Sequence, residues 1–282
     1  MEVAKTITAV RAAVSQARQQ GKTIGFVPTM GALHRGHVSL IEAAARHGDY
    51  VVVSIFVNPT QFGPNEDFNK YPRPIEQDLA ICKGHDVDLV FAPSPQEMYG
   101  TEGLTWVEVE KITSPLCGQF RPGHFRGVTT VCAKLFNIVL PDQAFFGQKD
   151  AQQAAVIQRM VKDLNMPLEV VVCPTVREPD GLAMSSRNRY LSPMHRTQAA
   201  TIYKALRMGE DQIQRGIKDG GKVVEAIMAI LHQVSGIEIQ YVSIVDAESL
   251  QTKDPVAGKV LVAVAVRIGS TRLIDNIVVD AG

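Results

Sequence analysis

The stretch FVPTMGALHRGH, residues 26–37, runs from an apolar segment through a turn into the start of a helix. It sets His34 and His37 three residues apart, around Arg35 and Gly36. The segment TIGFV (23–27) reads as a short strand, and VSLIEAAARH (38–47) has helical spacing. A strand handing over to a helix through a glycine-bearing turn is half of a strand–helix–strand unit, and parallel sheets bind ligands beyond such turns. The helix N-terminus offers unpaired N–H groups and the positive end of a dipole, where phosphate binds well. Gly31 and Gly36 allow close backbone approach to a ligand. Histidines at i and i+3 share one face of the opening turn, so both can donate to one polyphosphate. Two other readings stand beside this one. The pair can be surface residues near a cap, or part of a zinc site, although no third ligand lies nearby in sequence.

The same alternation repeats outward. ITAVRAAVSQARQQ is helical up to Gly21, and YVVVSIFV (50–57) is continuously apolar, like a central strand covered on both faces. PIEQDLAICK, GVTTVCAKLFNIVL and KDAQQAAVIQRMVKDL are helical, while VDLVFAP, QAFFG and LEVVVCP are strands. This order predicts an α/β fold, a Rossmann-like doubly wound parallel sheet over residues 1–175. Past Val176 a loop-rich stretch leads to two helical segments (194–220 and 222–234). Three strands follow: IEIQYVSIVD, KVLVAVAVRIG and TRLIDNIVVD. Helices segregated from strands predict a smaller C-terminal α+β domain over 176–282.

Composition narrows the function. The 282 residues are 45% hydrophobic and 21% charged, as in an ordinary globular protein. Twenty-nine basic side chains balance 29 acidic ones. A nucleic-acid binder usually has a basic excess, so none is expected as a partner. A local cation cluster can still serve an acidic small molecule. Cys82, Cys117, Cys132 and Cys173 form no CxxC pair, which predicts reduced thiols and a cytoplasmic protein. No apolar run reaches the ~20 residues of a membrane span, and MEVAKTITAV lacks the apolar core of a signal peptide.

Four further stretches carry polar groups to predicted turns. VNPTQFGPNEDFNKYPR (57–73) puts Asn58 and Gln61 at a strand exit, suited to hydroxyls and carboxylates or simply to a polar loop. RPGHFRG (121–127) gathers Arg121 and His124 around glycines, either a basic pocket on a flexible backbone or a surface loop. FFGQKDAQQ (145–153) ends a strand at Gly147 and brings Lys149 to a helix start. There Asp150 and Gln153 suit a capping box as well as a ligand. AMSSRNRYLS (183–192) crowds Ser185, Ser186 and Arg187 into a loop able to close over a triphosphate, or to cap a turn.

HRGH resembles the HxGH signature of the nucleotidyltransferase superfamily shared with class I aminoacyl-tRNA synthetases, and MSSRN resembles its KMSKS-type loop. The full set is FVPTMGALHRGH, VNPTQF, YPR, RPGHFRG, FFGQKD, the PTVRE…DGLAMSSRN…YL stretch and the closing TRLIDN. Together they are similar to the pantoate–β-alanine ligase family of coenzyme A biosynthesis, from residue 23 to residue 276. The resemblance implies ATP-dependent condensation of pantoate with β-alanine through a pantoyl adenylate, releasing AMP and diphosphate. It implies that Met30, Gly31, Ala32, Leu33, His34, Arg35, Gly36 and His37 hold ATP, together with Gly147, Gln148, Lys149 and Asp150. Val176 would touch adenine through its backbone, and Met184, Ser185, Ser186 and Arg187 would form a phosphate lid. His34, His37 and Lys149 would carry the catalysis, as charge stabilisers. Gln61 would contact both pantoate and β-alanine and Gln153 pantoate, with Asn58, Arg121 and His124 nearby. Mg2+ is implied by the ATP chemistry, its ligands unknown and Asp78 a candidate; a homodimer is implied as well. Gln148, Thr60 and Cys117 depart from the glutamate, methionine and glutamate common at those family positions. Two rivals are an adenylyltransferase with a phosphate-ester acceptor and a nucleotide-binding protein without catalysis. The neutral amides of VNPTQF and the set His34, His37, Lys149 and Arg187 argue against them.

Overall fold

Strand order decides where a parallel sheet can bind. The computed structural model describes every residue except Asn65 and Glu102, and the chain groups into two units. The first comprises Met1–Glu110, Arg121–Gln148 and Gln153–Pro174; the second comprises Lys111–Phe120, Lys149–Gln152 and Thr175–Gly282. In chain order, the elements through the first sheet are β1 (Glu2–Ala4), α1 (Ile7–Gln19), β2 (Ile24–Thr29), α2 (Arg35–His47), β3 (Tyr50–Ile55), α3 (Ile75–Lys83), β4 (Leu89–Phe91), α4 (Pro95–Tyr99), α5 (Cys117–Phe120), α6 (His124–Val139), β5 (Gln143–Gly147), α7 (Ala151–Asp163) and β6 (Glu169–Cys173). Then come α8 (Pro193–Ala199), α9 (Thr201–Gln214), α10 (Gly220–Leu231), β7 (Ile237–Asp246), β8 (Lys259–Ile268) and β9 (Thr271–Asp280).

Six parallel strands of the first unit lie in the order β1-β4-β3-β2-β5-β6. From β2 the chain steps one way to β3 and β4, then resumes on the other side of β2 with β5 and β6. That reversal between β2 and β5 is the switch point where doubly wound sheets open a ligand crevice at the carboxyl ends. Successive side chains of β2 face opposite layers. Val27 joins a core with Ile41 and Ala44 of α2 and Cys82 of α3, while Phe26 meets Phe136 of α6 edge-on at 6.4 Å. Both faces are therefore covered, as the valine-rich strands require. Each large side chain so buried contributes roughly 1.5–3 kcal/mol.

The second unit carries the three-stranded antiparallel sheet β7-β8-β9. Val260, Val262, Val264 and Val266 alternate onto one face of β8 and pack with Ile202 and Leu206 of α9 and Val223 and Ile227 of α10. Two local readings change. Strand β1 pairs with β4, and three residues are too few to show a period. The helical segment after residue 193 is two helices, because Ala200 both ends α8 and precedes α9 without any capping side chain to signal it.

Among the described residues no helix is long and apolar enough to cross a membrane. All four cysteines are free and buried. Burial pushes the Cys132 thiol up to about 12 and the Cys82 thiol up to about 11, with Asp78 adding to the latter. At pH 8 these two thiols should therefore resist an aromatic disulfide reagent in the native protein and react once urea unfolds it. Native-state labelling of either, read by mass spectrometry, would contradict this packing.

Candidate active site

The turns after β2, β3 and β5 leave neighbouring strands at the carboxyl edge of the first unit. The first is held from below. Both Asp78 carboxylate oxygens, from the first turn of α3, accept buried backbone N–H groups: Oδ2 from Ala32 at 2.9 Å and Oδ1 from Leu33 at 2.7 Å. Gly31 has φ +81°, and a Cβ there would lie 2.9 Å from Asp78 Oδ2 and 3.0 Å from Ile55 Cγ2, so only glycine fits the approach. Thr29 donates its hydroxyl to Ser54 O and accepts from Gly31 N. Asp78, the magnesium candidate of the sequence, thus serves as the anchor of the turn.

Helix α2 then starts on a capping box of two histidines. Nδ1 of His34 accepts from Gly36 N at 3.1 Å, and Nδ1 of His37 accepts from His34 N at 3.3 Å. The rings lie 4.1 Å apart. A neutral imidazole accepting at Nδ1 carries its proton on Nε2. Capping therefore assigns the same tautomer to both rings, with Nε2 as the donor.

The turn after β3 is a short 3-10 helix, Pro59–Gln61, capped by Asn58. Asn58 is buried and its amide is engaged inside the fold. Oδ1 accepts from Tyr99 Oη at 2.7 Å, Thr60 Oγ1 at 3.0 Å and Thr60 N at 3.3 Å. Nδ2 donates to Gly127 O at 3.1 Å and to Gln61 Oε1 at 3.2 Å. Gln61 Nε2 reaches Met30 Sδ at 2.9 Å, which joins this turn to the one after β2. The hydroxyl of Thr60, one of the three departures, is thereby accommodated.

RPGHFRG is no flexible loop: His124 opens α6, and His124, Phe125 and Gly127 are buried. A Cβ on Gly127 would lie 2.3 Å from Thr60 O, so α6 packs directly on the Asn58 turn. Arg121 sets its fork on Glu66, Nε to Oε1 and Nη2 to Oε2, both at 2.6 Å. His124 bonds Gln61 O through Nδ1 at 2.8 Å and faces Arg121 Nη1 through Nε2 at 2.9 Å. Burial works to raise the Glu66 carboxyl, but Arg121 outweighs it and holds the group below its ordinary range. Arg121 and His124 therefore brace the Gln61 turn. Glu66 completes the brace, and motif reading alone did not connect it, since 55 residues separate it from Arg121.

In the second unit, Lys149 lies 3.5 Å from Asp150, and the Lys149 carbonyl accepts from Asn276 Nδ2 at 2.9 Å. Gln152, adjacent to the expected ligand contact Gln153, holds the segment before α5. It accepts from Cys117 N and donates to Ile112 O and Pro115 O. The Cys117 thiol lies 3.2 Å from Tyr241 Oη and 3.4 Å from Arg272 Nη2. Val176 O accepts from Met184 N, Arg177 and Ala183 form a bridge, and Ser185 caps a 3-10 helix over Ser186–Tyr190 by accepting from Arg187 N. Gln153 and the third departure, Gln148, belong to the first unit.

A doubly wound sheet with a histidine-capped helix at its switch point defines a nucleotide-type α/β protein. A family model described as pantoate–β-alanine ligase matches residues 2–278. The pantothenate synthetase of Moorella thermoacetica is 55% identical over 280 residues, 99% of each chain. The crystal structure of pantothenate synthetase from Thermus thermophilus has a TM-score of 0.93 at 46% identity, covering 98% of this chain and 99% of the other. That of the Francisella tularensis pantoate–β-alanine ligase, complexed with "Beta-gamma ATP" and β-alanine, has a TM-score of 0.81 at 38% identity over 98% and 97%. The chain belongs to the pantoate–β-alanine ligase family.

Replacing Asp78 by alanine strands two buried donors, each worth about 1–3 kcal/mol. Asp78→Ala should lose at least about 2 kcal/mol in urea unfolding, and Asp78→Asn less, since one acceptor oxygen remains. Equal stability of Asp78→Ala and the parent would remove the anchor role.

Proposed function

We propose that this chain condenses (R)-pantoate with β-alanine at the expense of ATP, giving pantothenate, AMP and diphosphate through a pantoyl adenylate. The observation that carries the proposal is the family match over residues 2–278 on a fold that carries His34, His37 and Gln61 on the turns after β2 and β3. The Francisella relative, complexed with an ATP species and β-alanine, supports both as substrates here.

In the first step a pantoate oxygen attacks the α-phosphorus and the bond to diphosphate breaks. The attacking carboxylate is already ionised at neutral pH, so this step needs no base. It needs countercharge for the diphosphate that leaves. His34 and His37 donate from Nε2 beside the α2 N-terminus, and Lys149 adds a full positive charge. In the second step the free amine of β-alanine attacks the acyl carbon, the C–N bond forms, and the acyl–oxygen bond to AMP breaks. The amine proton passes to solvent. Both steps gain from placing the reactants in register, on the order of 7–11 kcal/mol in favourable cases.

Residues 30–37 and 147–150 take the ATP phosphates, Val176 the adenine and residues 184–187 the phosphates from the lid loop. Gln61 contacts both pantoate and β-alanine and Gln153 contacts pantoate, with Asn58, Arg121 and His124 fixing Gln61 from behind. Among the described residues no group of three or more His, Cys, Asp or Glu side chains could hold a metal ion. Magnesium, implied by the ATP chemistry, would supply countercharge to the phosphates when bound. We also take the protein to be a cytoplasmic homodimer whose two domains divide near residue 175, with Lys111–Phe120 and Lys149–Gln152 grouping with the C-terminal one.

The test is turnover with ATP, pantoate and β-alanine, scoring AMP and pantothenate. Without β-alanine, pantoate should support exchange of labelled diphosphate into ATP. ADP in place of AMP, or no exchange, would overturn the adenylate route. His37→Ala should lose about 10²–10³ in kcat, as for loss of one transition-state donor, and unchanged turnover would refute its role.

A further inference from the structure

The closing TRLIDN is a motif that the reaction leaves without a task. It lies on β9, in the second unit. Two consecutive buried residues there, Asp275 and Asn276, reach two different parts of that unit. Asp275 takes the Arg177 fork, Nη1 to Oδ2 at 2.5 Å and Nη2 to Oδ1 at 3.1 Å. Arg177 also donates to Gly181 O at 3.1 Å and Asn276 O at 3.3 Å, and it stacks over the Tyr203 ring at 4.0 Å. This locks the base of the hairpin running from Val176 to Met184, whose far strand continues into Ser185, Ser186 and Arg187. Burial raises the Asp275 carboxyl and Arg177 opposes it, so the ionised form depends on the guanidinium.

Asn276 turns the other way along the same strand. Its Nδ2 donates to Lys149 O at 2.9 Å, across 127 residues of sequence. The Asn276 backbone N is itself held by Asp275 Oδ1 at 2.8 Å. One dipeptide thus ties the backbone of the phosphate-binding lysine and the hairpin that carries the lid loop to a single strand.

We propose that Asn276 is a positioning residue for Lys149, and that Asp275–Asn276 deliver Lys149 and residues 184–187 to the nucleotide as one preset group. This rests on the role given above to Lys149. The effect passes through the lysine backbone, where a displacement of about 1 Å can cost up to 10²-fold.

A double-mutant cycle tests it, with kcat/KM for ATP and ATP affinity by calorimetry as readouts and melting temperature alongside. Asn276→Ala should lower kcat/KM for ATP about 10–100-fold in the parent, with KM for β-alanine unchanged. In the Lys149→Ala background the same change should make less than about a twofold difference. An equal loss in both backgrounds makes Asn276 merely structural and overturns the proposal while leaving the lysine reading intact. A harmless Lys149→Ala overturns the lysine reading and the proposal with it. Should Asn276→Ala not fold, Asn276→Leu, matched in size and lacking the donor, runs the same cycle.

Discussion

Two backbone N–H groups and one carboxylate hold the binding edge of the first unit in shape. The turn after β2 must pass through positive φ at Gly31 and at Ala32, and the second of these costs about 1–2 kcal/mol for a residue with a Cβ. Its amides at Ala32 and Leu33 are buried and have no strand to pair with. The Asp78 carboxylate supplies both acceptors from α3, and charge-assisted bonds of that kind exceed neutral ones. The entry angle of α2, and with it the position of both histidines, follows from this contact. A motif usually described by its histidines is therefore held in place by an aspartate outside it.

Structural and chemical roles are commonly set against each other when a polar residue stands at a helix start. The imidazole ring removes the opposition because it has two nitrogens on different edges. Nδ1 of each histidine completes the cap, and the tautomer so imposed leaves a donor on Nε2. Ser185 shows a comparable division in the second unit, its hydroxyl capping the short helix that begins with Ser186 and Arg187. In both places the backbone of the turn is fixed by the same side chains that the proposed reaction would recruit.

The parts of this molecule legible in its sequence are those with a local signature. The run at 259–268 could only be a buried strand, and β8 has those bounds because strict apolar density over ten residues leaves no other fit. The histidine pair, the Lys149 turn and the Ser-Ser-Arg loop likewise advertise themselves through glycine, charge and spacing. Long-range partners do not. Asp78 is bound to backbone, which has no sequence identity. Arg121 looks like a cation awaiting an anion until Glu66 is seen to occupy its fork. Asn58 resembles a ligand contact, yet both ends of its amide are engaged within the fold. In each case charge and residue type were visible and the partner was not, since partners roughly 40 to 70 residues apart are chosen by the fold.

The second unit is assembled from three separate pieces of chain, and its smallest piece, Lys149–Gln152, falls in sequence between stretches of the first. Neither unit can be excised as one continuous fragment. During synthesis Lys149 emerges long before the strand that fixes its carbonyl, and the chain must extend another 127 residues before Asn276 can hold it. A nascent chain can pair the strands of the first sheet while the Lys149 carbonyl is still unanchored. The Lys149 turn is in this sense completed late in the life of the polypeptide, on the arrival of β9 and not with the closing of the first sheet.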